Sequence, residues 1–271
     1  MDSLVSVIIL TYNSADTIVE TLNSVKSQTY SPLEVIISDD CSKDETKSIV
    51  EDWIKVNEKN FYGLKRIYGE VNLGLSGNMN KGLKEAQGRY VKFLAADDLL
   101  LPNAIERYVT FSHANDKVIP IGKVKLLAEA GTDIVAVQSY CERCYAIAME
   151  SRETQYEKML RTNWLVSPAA DFYEKAVLIK MGGYDEHYRL MEDYPMSIKL
   201  LKNGYQFRLI NEELMGYRIS GGSITGSRMK ELKKTEMKLF FRQRFWYMLQ
   251  NGMGWEAVKQ VKYWLKVFIN G

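Results

Sequence analysis

The sequence predicts an α/β protein: a doubly wound, mostly parallel central sheet flanked by helices, with a helical extension at the C-terminus. Three observations carry this expectation. Short β-branched runs alternate with amphipathic stretches over the first hundred or so residues. Acidic and polar clusters fall just past the ends of the expected strands. Beyond Arg228 the pattern turns basic, aromatic and helix-periodic.

Val5 to Leu10 is an apolar run of the kind that forms a parallel strand buried on both faces. Asn13 or Ser14 can cap a helix that carries Ile18, Leu22 and Val25 on one side. A second strand, Leu33 to Ser38, leads into Asp39-Asp40. A helix is expected from about Asp44 to Lys59, a strand from Leu64 to Tyr68 and a helix from Ser76 to Ala86. A fourth strand, Tyr90 to Ala95, leads into Asp97-Asp98. Strands separated by helices need crossovers, and crossovers make neighbouring strands parallel.

Farther on, Asn103 to about Leu127 reads as mostly helical with a break near Pro120. Asp133 to Tyr140 and Arg143 to Ala148 read as strands, and Glu174 to Met181 as a short helix stopped by Gly182-Gly183. Tyr194 to Asn203 reads as a helix with Tyr194 as its cap and Pro195 at its first position. Strands follow at Gln206 to Ile210 and Leu214 to Ile219. The expected division is one compact domain over residues 1–226 and a tail over 227–271.

Of the 271 residues, 46% are hydrophobic and 26% charged, the balance of an ordinary globular protein. No apolar run approaches the ~18 residues of a membrane span, and no basic segment opens a signal peptide. Cys41, Cys141 and Cys144 are too few for a disulfide framework, which suits a reducing cytoplasm. Cys141 and Cys144 have zinc-like spacing but lack the second ligand pair that a zinc site requires. The net charge of +2 is uneven, with ten Lys or Arg against three Glu from Arg228 onward and a net acidic body before it.

Thr11-Tyr12-Asn13, Asp39-Asp40 and Asp97-Asp98 each follow a strand, where open α/β sheets bind ligands. Adjacent carboxylates after a buried strand suit Mg²⁺ or Mn²⁺ held together with substrate phosphates. Taken alone, Asp97-Asp98 fits solvated turn acids equally well, and Asp39-Asp40 fits an Asx-turn. Glu192-Asp193 opens a helix, where the dipole favours an ionised acid; as an isolated pair it needs no function.

As an ordered set, these segments resemble the family 2 glycosyltransferases of the GT-A fold. The resemblance runs from Val5-Ser6-Val7-Ile8-Ile9-Leu10-Thr11-Tyr12-Asn13 through Glu34 to Asp44, with Asp39-Asp40 inside. It continues in Asn72-Leu73-Gly74, Asn80-Lys81-Gly82, Ala86-Gln87-Gly88 and Tyr90 to Pro102. Gly182-Gly183-Tyr184-Asp185-Glu186, Glu192-Asp193 and Tyr217-Arg218 with Ser223 complete it, so that about residues 4 to 226 are covered.

The resemblance implies a nucleotide-binding half over 1–101, an acceptor half over 102–226 and a bacterial envelope-polysaccharide role. It places Thr11, Tyr12 and Asp40 on the nucleotide of a UDP-sugar donor, with Asp39 beside them. Asn13, Asn72, Gly74, Asn80, Arg218 and Ser223 belong to the same donor site. Asp98 would hold Mn²⁺ or Mg²⁺, with Asp97 near the ribose. Asp193 would be the catalytic base of a single inverting displacement, and Glu192 would sit near the acceptor. The sequence departs from the family in three places: Ser220 where a His is common, Cys41 for a glycine, and no arginine before Asn80.

In the tail, Met229 to Leu249 and Trp255 to Ile269 read as amphipathic helices with Lys and Arg interleaved among Trp, Phe and Tyr. Residues 228–269 fit an anionic membrane surface, and packing on the catalytic domain or on a second subunit of a homodimer stays open. Nucleic acid is not expected, since no recognised motif accompanies the charge. The membrane reading leads to a polyprenyl-diphosphate-linked or other glycan acceptor at the inner face of the plasma membrane. Two competing functions are a sugar nucleotidyltransferase and a non-catalytic nucleotide-sugar-binding module. The first lacks its Gly-rich phosphate loop here, and the second has no need of Asp98 and Asp193.

Overall fold

A computed structural model of the chain describes residues 3–128, 132–162, 170–189, 191–219, 235 and 237–269. The first half alternates as the sequence predicts: β1 (Val5–Thr11), α1 (Ile18–Lys26), β2 (Leu33–Asp39), α2 (Thr46–Asn57), β3 (Gly63–Tyr68), α3 (Leu75–Glu85) and β4 (Tyr90–Ala95). Every residue of β1 and β2 is buried. Helices cover both faces of these strands, so apolar side chains are required at every position and not at alternate ones.

The sheet has the order β3-β2-β1-β4-β7, where β7 (Tyr173–Glu174) is antiparallel to β4 and the other strands run parallel. The chain winds outward from β1 to β3 and then returns to β4 on the other side of β1. That reversal opens a crevice at the strands' carboxyl ends. Registry keeps those ends level: Thr11 pairs with Asp39, Asp39 with Tyr68, and Leu10 with Ala95.

A second, three-stranded sheet has the order β5-β8-β6, formed by β5 (Leu99–Leu100), β8 (Gln206–Ile219) and β6 (Val118–Ala128). Around it lie α4 (Ala104–His113), α5 (Val135–Ala148), α6 (Arg152–Thr162), α7 (Lys175–Lys180) and α8 (Asp193–Lys202).

Four expectations are corrected here. The segment after α4 is strand β6, not helix. Pro120 is tolerated because β6 is an edge strand, where a missing N–H costs no ladder bond. Residues 135–148 form one helix, not two strands; Cys141, Cys144 and Ala148 are buried at helical spacing, which outweighs the β-branched start. β8 is continuous where two strands were expected, and the gap between them is a bulge of β8: Gly122, Lys123 and Val124 follow one another in β6 but pair with Ile210, Glu213 and Met215. Finally, α8 begins at Asp193 with Glu192 before it, so Pro195 is its third residue. First-turn N–H groups have no partner within the helix, which lets proline sit there.

The tail continues as a π-type turn, Phe240–Arg244, then α9 (Phe245–Gln250) and α10 (Gly254–Ile269). Phe240, Met248, Met253, Ala257 and Trp264 form a small core of their own. Buried Arg244 ties this unit to the main domain, donating to the carbonyls of Leu160 at 2.5 Å and Arg161 at 2.6 Å. These carbonyls belong to the last turn of α6, where a cation is favoured by the helix dipole. No helix among the described residues is long and apolar enough to cross a membrane.

Gly82 brings α3 down onto the sheet: a Cβ there would lie 2.3 Å from Cγ2 of Ile8 in the middle of β1. We expect Gly82→Ala to destabilise the protein by about 1–3 kcal/mol through overpacking. Urea unfolding measures it, and an unchanged midpoint would contradict the close approach.

Candidate active site

The edge is built first from β1 and β2. Thr11 ends β1, and its Oγ1 is buried without a hydrogen-bond partner among the described residues. Such an orphan on a ligand-binding edge is a natural place for a substrate contact. Tyr12 follows with its ring half-exposed. Asn13 adopts φ 51°; its N–H donates to Ser42 Oγ at 2.8 Å and its Oδ1 accepts the Lys43 N–H at 2.8 Å.

Asp39 and Asp40 are buried, and their carboxylates spend their bonds on backbone. Asp39 accepts the N–H of Ser42 at 2.9 Å and also its hydroxyl. Asp40 accepts the Leu73 and Gly74 N–H groups, each at 2.8 Å, while Asn72 Nδ2 donates to the Asp40 carbonyl at 3.2 Å. Cys41, between the two loops, has φ 71°. A backbone in the left-handed region suits glycine, the residue that the resemblance leads one to expect at this position.

β4 carries the next acids. Asp98 is buried and Asp97 partly so. The Asp98 carbonyl accepts the Thr21 hydroxyl at 2.8 Å, and its Oδ1 accepts the backbone N–H of Arg218 at 2.9 Å. The Arg218 guanidinium bonds to the Asp97 carbonyl at 2.9 Å and pairs with Glu20. The second sheet thus delivers Arg218, at the end of β8, onto the acids at the end of β4. Burial, followed by the neighbouring Asp97 charge, pushes the Asp98 carboxyl up to about 7.

The third acidic segment is fastened to α3. Asn80 Oδ1 accepts the Tyr184 N–H at 2.9 Å, and its Nδ2 donates to the Tyr184 carbonyl at 2.9 Å and to Glu186 at 2.8 Å. Ser76 donates to the Tyr188 carbonyl at 2.6 Å, and the Leu75 N–H to the Arg189 carbonyl at 2.8 Å. Arg189 reaches back to the carbonyls of Asn72 at 2.7 Å and Leu73 at 3.2 Å. The three-residue loop 72–74 is therefore gripped by Asp40 through its N–H groups and by Arg189 through its carbonyls. Only glycine fits at Gly74, where φ is 79° and a Cβ would lie 2.8 Å from Arg189.

Glu192 and Asp193 follow directly. Glu192 is buried and Asp193 partly open to solvent, with Asp193 Oδ1 accepting the Tyr194 N–H at 2.7 Å. Burial, then the Asp193 charge, pushes Glu192 up to about 8. Burial pushes Asp193 up to about 6. Both carboxyls are thus held above the ordinary carboxylate range, and the pair titrates as a unit.

The three acidic groups are linked by residues that no motif marks. Lys92, wholly buried in the middle of β4, donates to the Asp171 carbonyl at 2.9 Å and feels the charges of both Asp171 and Asp98. Asp171 in turn accepts the Tyr173 hydroxyl at 2.8 Å and feels Asp193. Desolvation lowers Lys92 to about 8 and raises Asp171 to about 7. A lysine inside an otherwise apolar strand was a visible signal for Lys92. Asp171 and Arg189 carry none. Ser223 lies outside the described residues.

Among the described residues, no three His, Cys, Asp or Glu side chains gather into a ready metal cage. A single carboxylate short of positive charge, at Asp98, nevertheless fits Mg²⁺ or Mn²⁺ whose coordination is completed by substrate phosphates and water.

The model of glycosyl transferase family 2 matches residues 6–179. TuaG of Bacillus subtilis, a glycosyltransferase named for teichuronic acid biosynthesis, is 31% identical over 255 residues, covering 91% of this chain and 94% of its own. WfaP of Escherichia coli, a UDP-Glc:α-D-GlcNAc-diphosphoundecaprenol β-1,3-glucosyltransferase, is 28% identical over 84% of this chain and 82% of its own. The structure of S. aureus TarS 1–349 with UDP-GlcNAc superposes with a TM-score of 0.63 at 24% identity, over 87% of this chain and 66% of that one. The mannosyltransferase PcManGT of Pyrobaculum calidifontis, with GDP-Man and Mn²⁺, gives 0.65 at 19% identity over 91% of this chain and 64% of its own. Against a longer TarS chain the match spans 39% of that chain. The structural likenesses establish the fold, and the sequence match establishes the family: this chain belongs to glycosyl transferase family 2, built on the GT-A fold.

Proposed function

We propose that the protein transfers a sugar, with inversion, from a UDP-sugar to a hydroxyl of a polyprenyl-diphosphate-linked glycan at the inner face of the plasma membrane. The observation that carries this reading is a chain of charges across three distant segments: Lys92, buried in the middle of β4, donates to the Asp171 carbonyl and feels Asp171 and Asp98, and Asp171 feels Asp193. The names of TuaG and WfaP support the envelope glycan and the lipid-linked acceptor. The ligands of TarS and PcManGT support a nucleotide-sugar donor and a divalent ion.

In this reading Tyr12 stacks on the base, and the orphaned Thr11 hydroxyl and Asn13 meet the nucleotide. Asp39 and Asp40 serve the nucleotide through the loops they hold, and Asn72 and Gly74 bring backbone to the diphosphate. Asp97 faces the ribose, and Arg218, with Ser223, approaches the phosphates. Asp98 would hold a divalent ion, which would supply positive charge against the negative charge that grows on the leaving diphosphate. The acceptor oxygen attacks the anomeric carbon from the face opposite the diphosphate. The anomeric C–O bond breaks with its electron pair going to UDP, and the acceptor proton passes to Asp193. Glu192 hydrogen-bonds the acceptor, and Asn80 with Arg189 holds the base-bearing segment against the donor loop.

Incubation with UDP-sugars, Mn²⁺ and a polyprenyl-diphosphate sugar tests the reading. UDP release dependent on acceptor and metal is expected; pyrophosphate exchange would indicate nucleotidyl transfer instead, and silence with every donor a binding module. Asp98→Asn should weaken Mn²⁺-dependent UDP binding and turnover together, and full turnover in Asp98→Ala would end the assignment. Asp193→Asn should lower kcat by about 10²–10⁴-fold while UDP binding is kept. Because the base must be ionised, kcat should fall as pH drops through the Asp193 value of about 6. A profile flat from pH 5 to 8 would contradict the role.

A further inference from the structure

α10 uses one side for folding. Met253, Ala257 and Trp264 turn inward onto Phe240 and Met248. On the other side Trp255, Val258, Tyr263 and Leu265 are 64%, 42%, 51% and 56% exposed. Trp246 on α9 is 60% exposed. The tail is no longer an amphipathic pair awaiting a partner, because its first apolar face is already satisfied internally. What remains is a second apolar set that the fold does not need.

Cations share that outward arc. Lys259 and Lys262 lie over the Trp255 ring at 5.6 and 6.0 Å from its centroid. At 100° per residue, Lys266 falls beside them. Over residues 237–269 there are six Lys or Arg and one acid, Glu256. A dry protein interface on this arc would bury three lysines with no acids of their own. Open water would leave four large apolar side chains exposed. The headgroup region of an anionic bilayer accepts both, taking Trp and Tyr at the boundary and Lys at the phosphates. An isologous contact with a second copy would set like charges face to face.

We propose that the outward face of α10, with Trp246 of α9, is a docking surface for an anionic lipid bilayer. The anchor makes docking matter for the site: Arg244 caps the carboxyl end of α6, and the same end accepts the Tyr194 hydroxyl at the Met159 carbonyl, 2.8 Å away. Tyr194 is the residue after Asp193. A bilayer held by α10 is thus tied through α6 to the segment carrying the proposed base. The inference deepens the lipid-linked reading, yet its test uses no acceptor, so the two can fail separately.

Full-length protein is sedimented with phosphatidylcholine vesicles and with vesicles of phosphatidylcholine and phosphatidylglycerol. We expect binding to the second kind only, weakened by salt. Lys259→Gln, Lys262→Gln and Lys266→Gln together should lower the partition coefficient about a hundredfold, and Trp255→Ala with Trp246→Ala should lower it further. Thermal stabilisation by UDP with Mn²⁺ should match the unsubstituted protein in every variant, which separates lost docking from lost fold. Equal binding to both vesicle types, or anionic binding that survives the substitutions, overturns the proposal. So does a dimer in light scattering that the same substitutions dissociate, which would assign the surface to a second copy.

Discussion

The side-chain amide of Asn80 joins α3 to the segment that carries Glu192 and Asp193. Its oxygen and nitrogen both bond to the backbone of Tyr184, more than a hundred residues away, and the nitrogen also reaches Glu186. Ser76, Leu75 and Arg189 extend the seam in both directions. A transferase that uses no covalent intermediate works by placing two substrates at a fixed separation, and a small misplacement is costly. The rigidity of α3 against the sheet, set by the contact of Gly82 with Ile8, therefore passes through Asn80 to the segment that carries Glu192 and Asp193.

The site is also where the fold concentrates its electrostatic cost. Asp98, Asp171 and Glu192 are buried carboxyls pushed toward neutral pH, and Lys92 is a buried ammonium pushed down toward it. Groups so placed weaken the folded state in the absence of charged ligands. The shortage of positive charge at Asp98 is what a divalent ion with a sugar diphosphate would relieve. Stability and function pull against each other here, as is common at sites prepared for charged substrates.

The tail belongs to the same economy of contacts. Its small core holds α9 and α10 together, and Arg244 fastens the unit to the end of α6. Leu239 adds a buried apolar contact with the main core and Tyr247 lies edge-on to Tyr156, while the remaining apolar side chains of α10 stay outward. A helix stripe that looks like a single amphipathic face in one dimension is divided into an inner and an outer set once its partner helix is in place.

The alternation of strands and helices through Ala95, and the placement of polar clusters after each strand, were legible because period and turn chemistry are local properties. Thr11, Asp39, Asp40 and Asp98 lie where that alternation puts them. From residue 103 onward local signals competed. The β-branched start of α5 looked like a strand, and Pro120 looked like a helix break although it lies in an edge strand, since edge and centre are defined only by neighbours. Asn80 carries a motif, but its bonds to Tyr184 and Glu186 could not be read from it. Arg189, Asp171 and the pairing of Arg218 with Asp98 had no local mark at all. Which residues follow a strand is written along the chain; which of them meet depends on how sheets and helices pack, because contacts between positions a hundred residues apart have no period.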